Sequence, residues 1–250
     1  MFFGYDLKEI FMFPFKDAEA RKYLLVGGLV SLAALIIPVL PYLVLLGYAV
    51  IIARQILNGE SPRMVPWEDW GGMLKEGAKL FGIRLIFSIP ILIFSLPLMV
   101  GGIVMPFIAQ GLDSGSADTL IAVFSIVMMG SMCILIPISI PLAVLIPAAE
   151  MHSVDKNDFA AGFRVKEIWQ IFRANLGGFI AAFGIYYVAS MAFAIVMQVL
   201  FATLIFACIA FLLIPAMTIY ITLIMYVTIA IAYRDGKTKL AQSELALQTA

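Results

Sequence analysis

From Gly178 to Ala232 the chain runs for 55 residues without a single Asp, Glu, Lys, Arg or His. A bilayer crossing needs about 20 apolar residues, so this run predicts two membrane passes joined by a turn. The turn is expected between Gln198 and Thr203, where the polar side chains of its middle lie. Three more stretches lack charge throughout: Tyr23 to Ala53, Leu85 to Ala109 and Thr119 to Ala149. The whole chain is 63% hydrophobic and 13% charged, against roughly 25% charged for a soluble domain. These stretches predict an all-α integral membrane protein.

Lys and Arg avoid one side of that layout. Four of the sixteen lie in residues 1–22, five in 54–84, four in 150–177 and three after 233. The loop 110–118 has none and carries Asp113 and Asp118 instead. Cations flanking membrane helices stay on the cytoplasmic side. Every loop from Arg54 onward obeys that rule if 85–149 and 178–233 are transmembrane pairs, 54–84 and 150–177 are cytoplasmic amphipathic segments, and 234–250 is a cytoplasmic tail.

The stretch 23–53 is the exception. If it crosses once, the four cations of the N-terminal interfacial segment lie outside. If it turns back, every cation lies inside. One helix of about 31 residues would be about 46 Å long, well over the ~30 Å hydrocarbon core. Pro38 and Pro41 stand at its midpoint and can break it. A short, re-entrant hairpin bent at Pro38 and Pro41 is therefore favoured over one tilted, kinked helix. Both termini are then cytoplasmic.

A weak internal repeat agrees. "FPFKDAEARKYLLVGG", "VPWEDWGGMLKEGAKLFGIR" and "NDFAAGFRVKEIWQIFRANLGG" each precede a membrane pair. Proline lies near the start of each second arm, in "IIPVLP", "IPISIP" and "LIPAM". The expected fold is three units of interfacial helix plus membrane hairpin, the first hairpin short and the other two making four full transmembrane helices. Asp6 and Glu9 have capping-box spacing, and Pro66 suits the first position of a helix. Trp67 and Trp70 start one aromatic face at helical spacing. Trp169 and Phe172 lie on another, beside Arg164 and Arg173. Such helices rest in the headgroup plane, so these six residues are the candidates for contact with the membrane interface or a partner.

The spans lack the buried ionisable groups that mark proton relays and ion-coupled transport. Gln198, Thr203, Ser139, Ser190, Thr218, Tyr220 and Thr222 are expected to hydrogen-bond between helices. Cys133 and Cys208 are read as small buried hydrophobes. His152, the sole histidine, follows Glu150 at the end of a span, where an interfacial, snorkelling role is expected. No phosphate-binding loop, dinucleotide fingerprint, zinc motif or serine elbow occurs. No catalytic, cofactor-binding or metal residue is therefore expected, and the near-neutral charge gives no support for a nucleic-acid partner. No cleavable signal peptide is expected from "MFFGYDLKEIFMFPFK".

The N-terminal "FPF" with Asp17, the exit arm with Pro41, Tyr42, Gly47 and Tyr48, and the "PWEDW" segment from Pro66 to Trp70 resemble the DUF4013 family. That is a prokaryotic multi-pass membrane family known only by a domain-of-unknown-function label. The resemblance implies a bacterial or archaeal plasma-membrane protein and supplies no activity. The expected role is that of a non-enzymatic accessory or scaffold subunit. Its expected partners are membrane lipids and either a protein partner or further copies of itself. A small permease or lipid translocator is the alternative, motivated by the proline-broken hairpins.

Overall fold

A computed structural model describes residues 4–203 and 206–248. The described residues form helices and no strand. The helices are α1 (Leu7–Met12), α2 (Ala18–Ala33), α3 (Leu40–Leu57), α4 (Trp70–Gln110), α5 (Ser114–Lys156), α6 (Val165–Ala174), α7 (Leu176–Ala202) and α8 (Ala207–Gln248). Short 3-10 turns occupy Phe13–Phe15 and Ala160–Phe163.

Polar caps decide where helices begin. The Asp6 carboxylate accepts from the Glu9 N–H at 3.1 Å and starts α1. Asp17 accepts from the Ala20 N–H at 2.7 Å and starts α2. Asp69 accepts from the Gly72 N–H at 2.8 Å and starts α4. Each cap satisfies one of the amide donors that a helix start leaves open. The Asp69 cap corrects the expectation of a helix from Pro66. Residues 66–69 are not helical, because the chain before the cap is held extended by side chains of α3. The Tyr48 hydroxyl donates to the Val65 carbonyl at 2.9 Å and accepts from the Val65 N–H at 3.0 Å. Gln55 Oε1 accepts from the Arg63 N–H at 2.9 Å.

The helix expected from Pro66 to the end of the 54–84 segment, separate from the span after it, is instead, from Trp70 on, the first part of α4. The sequence offers no break there, whereas Asn175 (φ −135°, ψ 43°) does separate α6 from α7. The prolines also behave differently from expectation. α4 runs on through Pro90, Pro97 and Pro106, α8 through Pro215, and α5 through Pro137 and Pro141. Pro38 lies in the non-helical 34–39 break, and Pro41 sits in the first turn of α3, where a missing N–H costs nothing.

Five helices are long and apolar enough to cross a membrane: α3, α4, α5, α7 and the 213–247 part of α8. The fifth is α3, one arm of the stretch expected to be re-entrant.

Two compact units divide the chain: residues 1–83 with 147–250, and residues 84–146. The first is organised around α8, which packs against α1, α2, α3, α6 and α7. Its core includes Ile52 and Ala53 of α3, Ala149 and Met151 of α5, Ala182 of α7, and Tyr226, Val227, Ala230 and Tyr233 of α8, all buried. Helices α3 and α4 cross backbone to backbone at Gly47 and Gly77. A methyl group added to Gly47 would overlap the Met73 carbonyl, and one added to Gly77 would overlap the Leu43 carbonyl. Helices α2 and α3 pack together, with Val26, Val30 and Ala33 lining one apolar groove with Leu40, Pro41 and Val44.

The second unit exposes large apolar side chains along both of its helical segments, among them Ile93, Met99, Ile103, Phe107, Ile126, Met129 and Ile140. Gly101 takes the ring of Phe124 at a spot where a methyl group would overlap it. Asp113 accepts from the Ser116 N–H at 3.1 Å and caps α5. Its bonding with Ser116 holds the carboxyl below the usual range.

Hydroxyls within the spans bond along their own helix rather than between helices. Ser139 donates to Ile136 O, Thr218 to Ile214 O and Thr222 to Thr218 O. A carbonyl one turn back is always within reach, and it satisfies the hydroxyl without a neighbour. Tyr220 does reach across, donating to Phe11 O at 3.1 Å. Gln198 is exposed, and buried Ser190 Oγ has no hydrogen-bond partner. Thr203 follows the end of α7 and donates to Val199 O and Leu200 O, while residues 198–202, where the expected turn begins, are still helical. Cys133 is free and exposed rather than buried, because it faces outward in the second unit. The side chain of Cys208 lies outside the described residues.

Candidate functional site

The six interface candidates do not form one surface. Trp67 is 9% exposed, so it is not on an outward face. Its ring stacks on Tyr48 with centroids 3.9 Å apart, and its indole N–H donates to Tyr23 O at 2.9 Å. Trp70, three residues on but inside the helix, is exposed. Met73, Gly77 and Leu80 are buried on α4, and Trp70, one turn before them at the helix start, lines the apolar groove with residues of α2 and α3. Trp169 is 52% exposed and stacks on Phe172 at 5.4 Å, while Phe172 meets Phe179 at 5.1 Å. Ile168 and Ile171 supply the buried face of α6. Arg164 is half-exposed and pairs with Asp158 at 3.6 Å and Glu167 at 3.7 Å. Arg173 is exposed. Pro38 is exposed in its break, and Pro41 is half-buried.

The structure brings together a different set of polar groups, at the ends of α5, α6 and α8. Glu150 is fully buried and accepts from the Tyr226 hydroxyl at 2.7 Å. His152 is 1% exposed, its Nδ1 lying 2.6 Å from the Tyr233 hydroxyl. The expectation of a snorkelling His152 is therefore corrected, because α8 covers this end of α5. His152 Nε2 is 3.2 Å from Glu167 Oε2, yet the alignment gives no hydrogen bond. Lys237 donates to both oxygens of Asp155 at 2.8 Å. Asn175 donates to Ala232 O at 2.9 Å and accepts from Lys239 at 2.7 Å.

Other ties work the same way. Arg54 pairs with Glu76, which also accepts from Lys79 at 2.7 Å. Arg54 also donates to Asn157 Oδ1 at 3.1 Å. Tyr5 donates to Gly178 O at 2.8 Å. Its phenol is pushed above the usual range by burial first, with the Asp235 carboxylate adding to the effect.

Beside His152 lies a cavity of about 260 Å³, walled by Lys156, Glu167, Gln170, Tyr233 and Glu244 among others. Among the described residues no three His, Cys, Asp or Glu side chains are grouped to hold a metal ion. Sequence reasoning noted Glu150 and His152 but missed their phenol partners. Tyr226 and Tyr233 stand inside or just beyond the long apolar run, and a tyrosine there was the available signal, since a buried hydroxyl seeks a partner.

The model of one family, described as "Protein of unknown function (DUF4013)", matches residues 30–202. The chain belongs to the DUF4013 family. No curated protein and no solved structure matches it. Within this DUF4013 chain the matched region begins in α2 and ends with α7. It thus includes His152, Glu167 and the Gly47–Gly77 crossing, and leaves out Tyr226 and Tyr233 of α8.

Proposed function

We propose that this DUF4013 chain is a polytopic protein of a prokaryotic plasma membrane that serves as a non-catalytic accessory or scaffold subunit, holding lipid and a protein partner. The observation that carries this reading is how the buried polar groups are used. Glu150 with Tyr226, His152 with Tyr233, Asn175 with Ala232 and Tyr5 with Gly178 each tie one helix end to another segment. Those bonds make a rigid polar plate at the side carrying the cations, and the spans leaving it present apolar side chains for lipid or a partner helix to cover. Buried, satisfied polar groups rigidify a fold.

Both termini are cytoplasmic in this reading, and α2 and α3 form a re-entrant hairpin. The Trp67 bond to Tyr23 ties α2 to the segment that follows α3. At the tip Leu35, Ile37, Val39 and Leu40 are exposed and Ile36 is 85% exposed. Part of the tip's backbone is satisfied internally as well. Donors at Ala34, Leu35, Ile36 and Ile37 are bonded to carbonyls of the last turns of α2, and Pro38 and Pro41 have no N–H to leave open. An unsatisfied donor there would cost several kcal/mol. The arms of 16 and 18 residues are about 24 and 27 Å long, short of the ~30 Å core.

The permease alternative rested on helices broken at proline. Since α4, α5 and α8 continue through their prolines, only the 34–39 break between α2 and α3 is left to support it. Native mass spectrometry from lipid nanodiscs tests the scaffold. A 27.4 kDa chain carrying retained phospholipid and a stoichiometric second subunit is expected. A bare single chain would overturn the reading.

A further inference from the structure

Helix α6 stands just before a span, and its two sides differ. Ile168 and Ile171 are buried on one side. Lys166, Trp169 and Arg173 are exposed, and spacings of three and four residues put them together on the outer face.

Charge on that outer face is unbalanced. The acids nearby already have cationic partners. Asp158 and Glu167 face Arg164, Asp155 takes Lys237, and Asp235 takes Arg234. Glu244 lines the cavity beside His152 together with Lys156 and Glu167, on another side of α6. Among the described residues Lys166 and Arg173 make no ion pair. Two cations therefore flank one exposed indole with no carboxylate to answer them.

Aromatic packing holds that indole in place. Trp169 stacks on Phe172 with ring centroids 5.4 Å apart, and Phe172 meets buried Phe179 at 5.1 Å. Phe179 lies in the first turn of α7, so the pile keeps Trp169 near the start of the span Leu176–Ala202. Asn175 braces the same junction by donating to Ala232 O at 2.9 Å. Arg173 precedes the span by three residues. Among the described residues the Trp169 indole N–H donates to no group, whereas that of Trp67 is taken by Tyr23 O. On the membrane side of the junction Leu176 and Ile180 are exposed. Cations and a free N–H donor thus stand above an apolar surface. That order matches an amphiphile with a negative, hydrogen-bond-accepting head and a hydrocarbon tail.

We propose that the outer face of α6 binds an anionic phospholipid, its phosphate held by Lys166, Trp169 and Arg173 and its acyl chains lying along Leu176 and Ile180. Tryptophan and basic residues beside a span lie at headgroup level, and the cytoplasmic leaflet holds the anionic lipids that attract them. A second copy docked by the same face would set these cations against their own kind. The inference rests on the scaffold reading and names the class of lipid held. The two fail separately, because a native spectrum can retain neutral lipid while this face shows no preference.

Quenching of tryptophan by brominated acyl chains reads contact at this face. The full chain carrying Trp70→Phe is placed in phosphatidylcholine nanodiscs. A rising fraction of the lipid is replaced by brominated phosphatidylglycerol or by brominated phosphatidylcholine. The chain has three tryptophans, so subtracting the signal of Trp70→Phe with Trp169→Phe, which leaves buried Trp67, isolates Trp169. Brominated phosphatidylglycerol should quench Trp169 with an apparent affinity at least about fivefold above that of brominated phosphatidylcholine, the worth of one cation at an anionic surface. The preference should weaken as salt is added. Lys166→Gln with Arg173→Gln, both at exposed positions, should bring the ratio close to one. Lys75→Gln, at an exposed position of α4, should leave it in place. Equal quenching by the two lipids, or a preference that survives the double variant, would overturn the proposal. Quenching by neither lipid would overturn it equally, and would show that protein covers the face.

Discussion

Replacing Gly77 with alanine should destabilise the protein although alanine is the better helix former. In an open helix position the change gains about 1 kcal/mol. At Gly77 the new methyl would overlap the Leu43 carbonyl oxygen and come within 2.9 Å of the Gly47 nitrogen. Both are backbone atoms of α3, so no rotamer change relieves the overlap. The two helices must separate by more than an ångström to reach an ordinary contact. Overpacking of a close-packed interior costs about 1–3 kcal/mol, and an immovable partner puts Gly77 at the upper end. Subtracting the helical gain leaves a net loss of about 2 kcal/mol, a fall of roughly thirtyfold in the folded-to-unfolded ratio. Gly184→Ala in α7 is the matched control, because nothing lies within 4 Å of its added methyl. It should be neutral or stabilising by up to about 1 kcal/mol. Equilibrium unfolding of both variants in one detergent mixture measures the difference, expected to be about 2–3 kcal/mol. Adding Gly47→Ala to Gly77→Ala should cost less than the sum of the two single changes, since one separation relieves both overlaps. If Gly77→Ala proved as stable as Gly184→Ala, the backbone-to-backbone crossing of α3 and α4 would be wrong.

Other outcomes follow from particular contacts. Tyr226→Phe removes the bond to buried Glu150 and should cost about 1 kcal/mol or more, the order of one buried hydrogen bond; a change under about 0.5 kcal/mol on the same unfolding assay would reject it. Tyr48→Phe removes both bonds to Val65 and should speed proteolysis within residues 58–69 without affecting cleavage of the 234–248 segment. Asp113 has a depressed carboxyl, so its cap is present above about pH 4 and is lost only as pH falls through the lower folded value. The Ser116 amide shift should therefore titrate below the usual carboxyl midpoint, and a midpoint at or above it would contradict the cap. A reporter thiol replacing Ile36, with the native cysteines removed, should resist membrane-impermeant reagents from both sides of the bilayer. One replacing Lys8 should resist them from outside intact cells, and labelling there would reverse the topology.

Some of this was legible before any coordinates. Asp6 and Thr203 mark a helix start and a helix end as their chemistry requires, because capping is local and needs only neighbours in the chain. The prolines were less transparent. Pro41 starts a helix while Pro137 and Pro141 sit within one, and the residue type alone does not separate those settings. The tryptophans show the same limit. Trp67 and Trp70 lie three residues apart and read as one face, yet the helix starts between them at the Asp69 cap, and Tyr48 draws the first inward. The site at His152 was the least visible, since its partners are far along the chain.

Runs of uncharged residues determined by themselves that this chain is helical and suited to a membrane, because the length of a span and the cost of an unpaired amide in hydrocarbon are properties of a segment alone. Only tertiary structure decided which polar groups are buried. Glu150 and His152 are covered by Tyr226 and Tyr233, which are 76 and 81 residues away. Whether a charged or titratable side chain meets water or a phenol depends on which helix lands across it, and no local pattern carries that information.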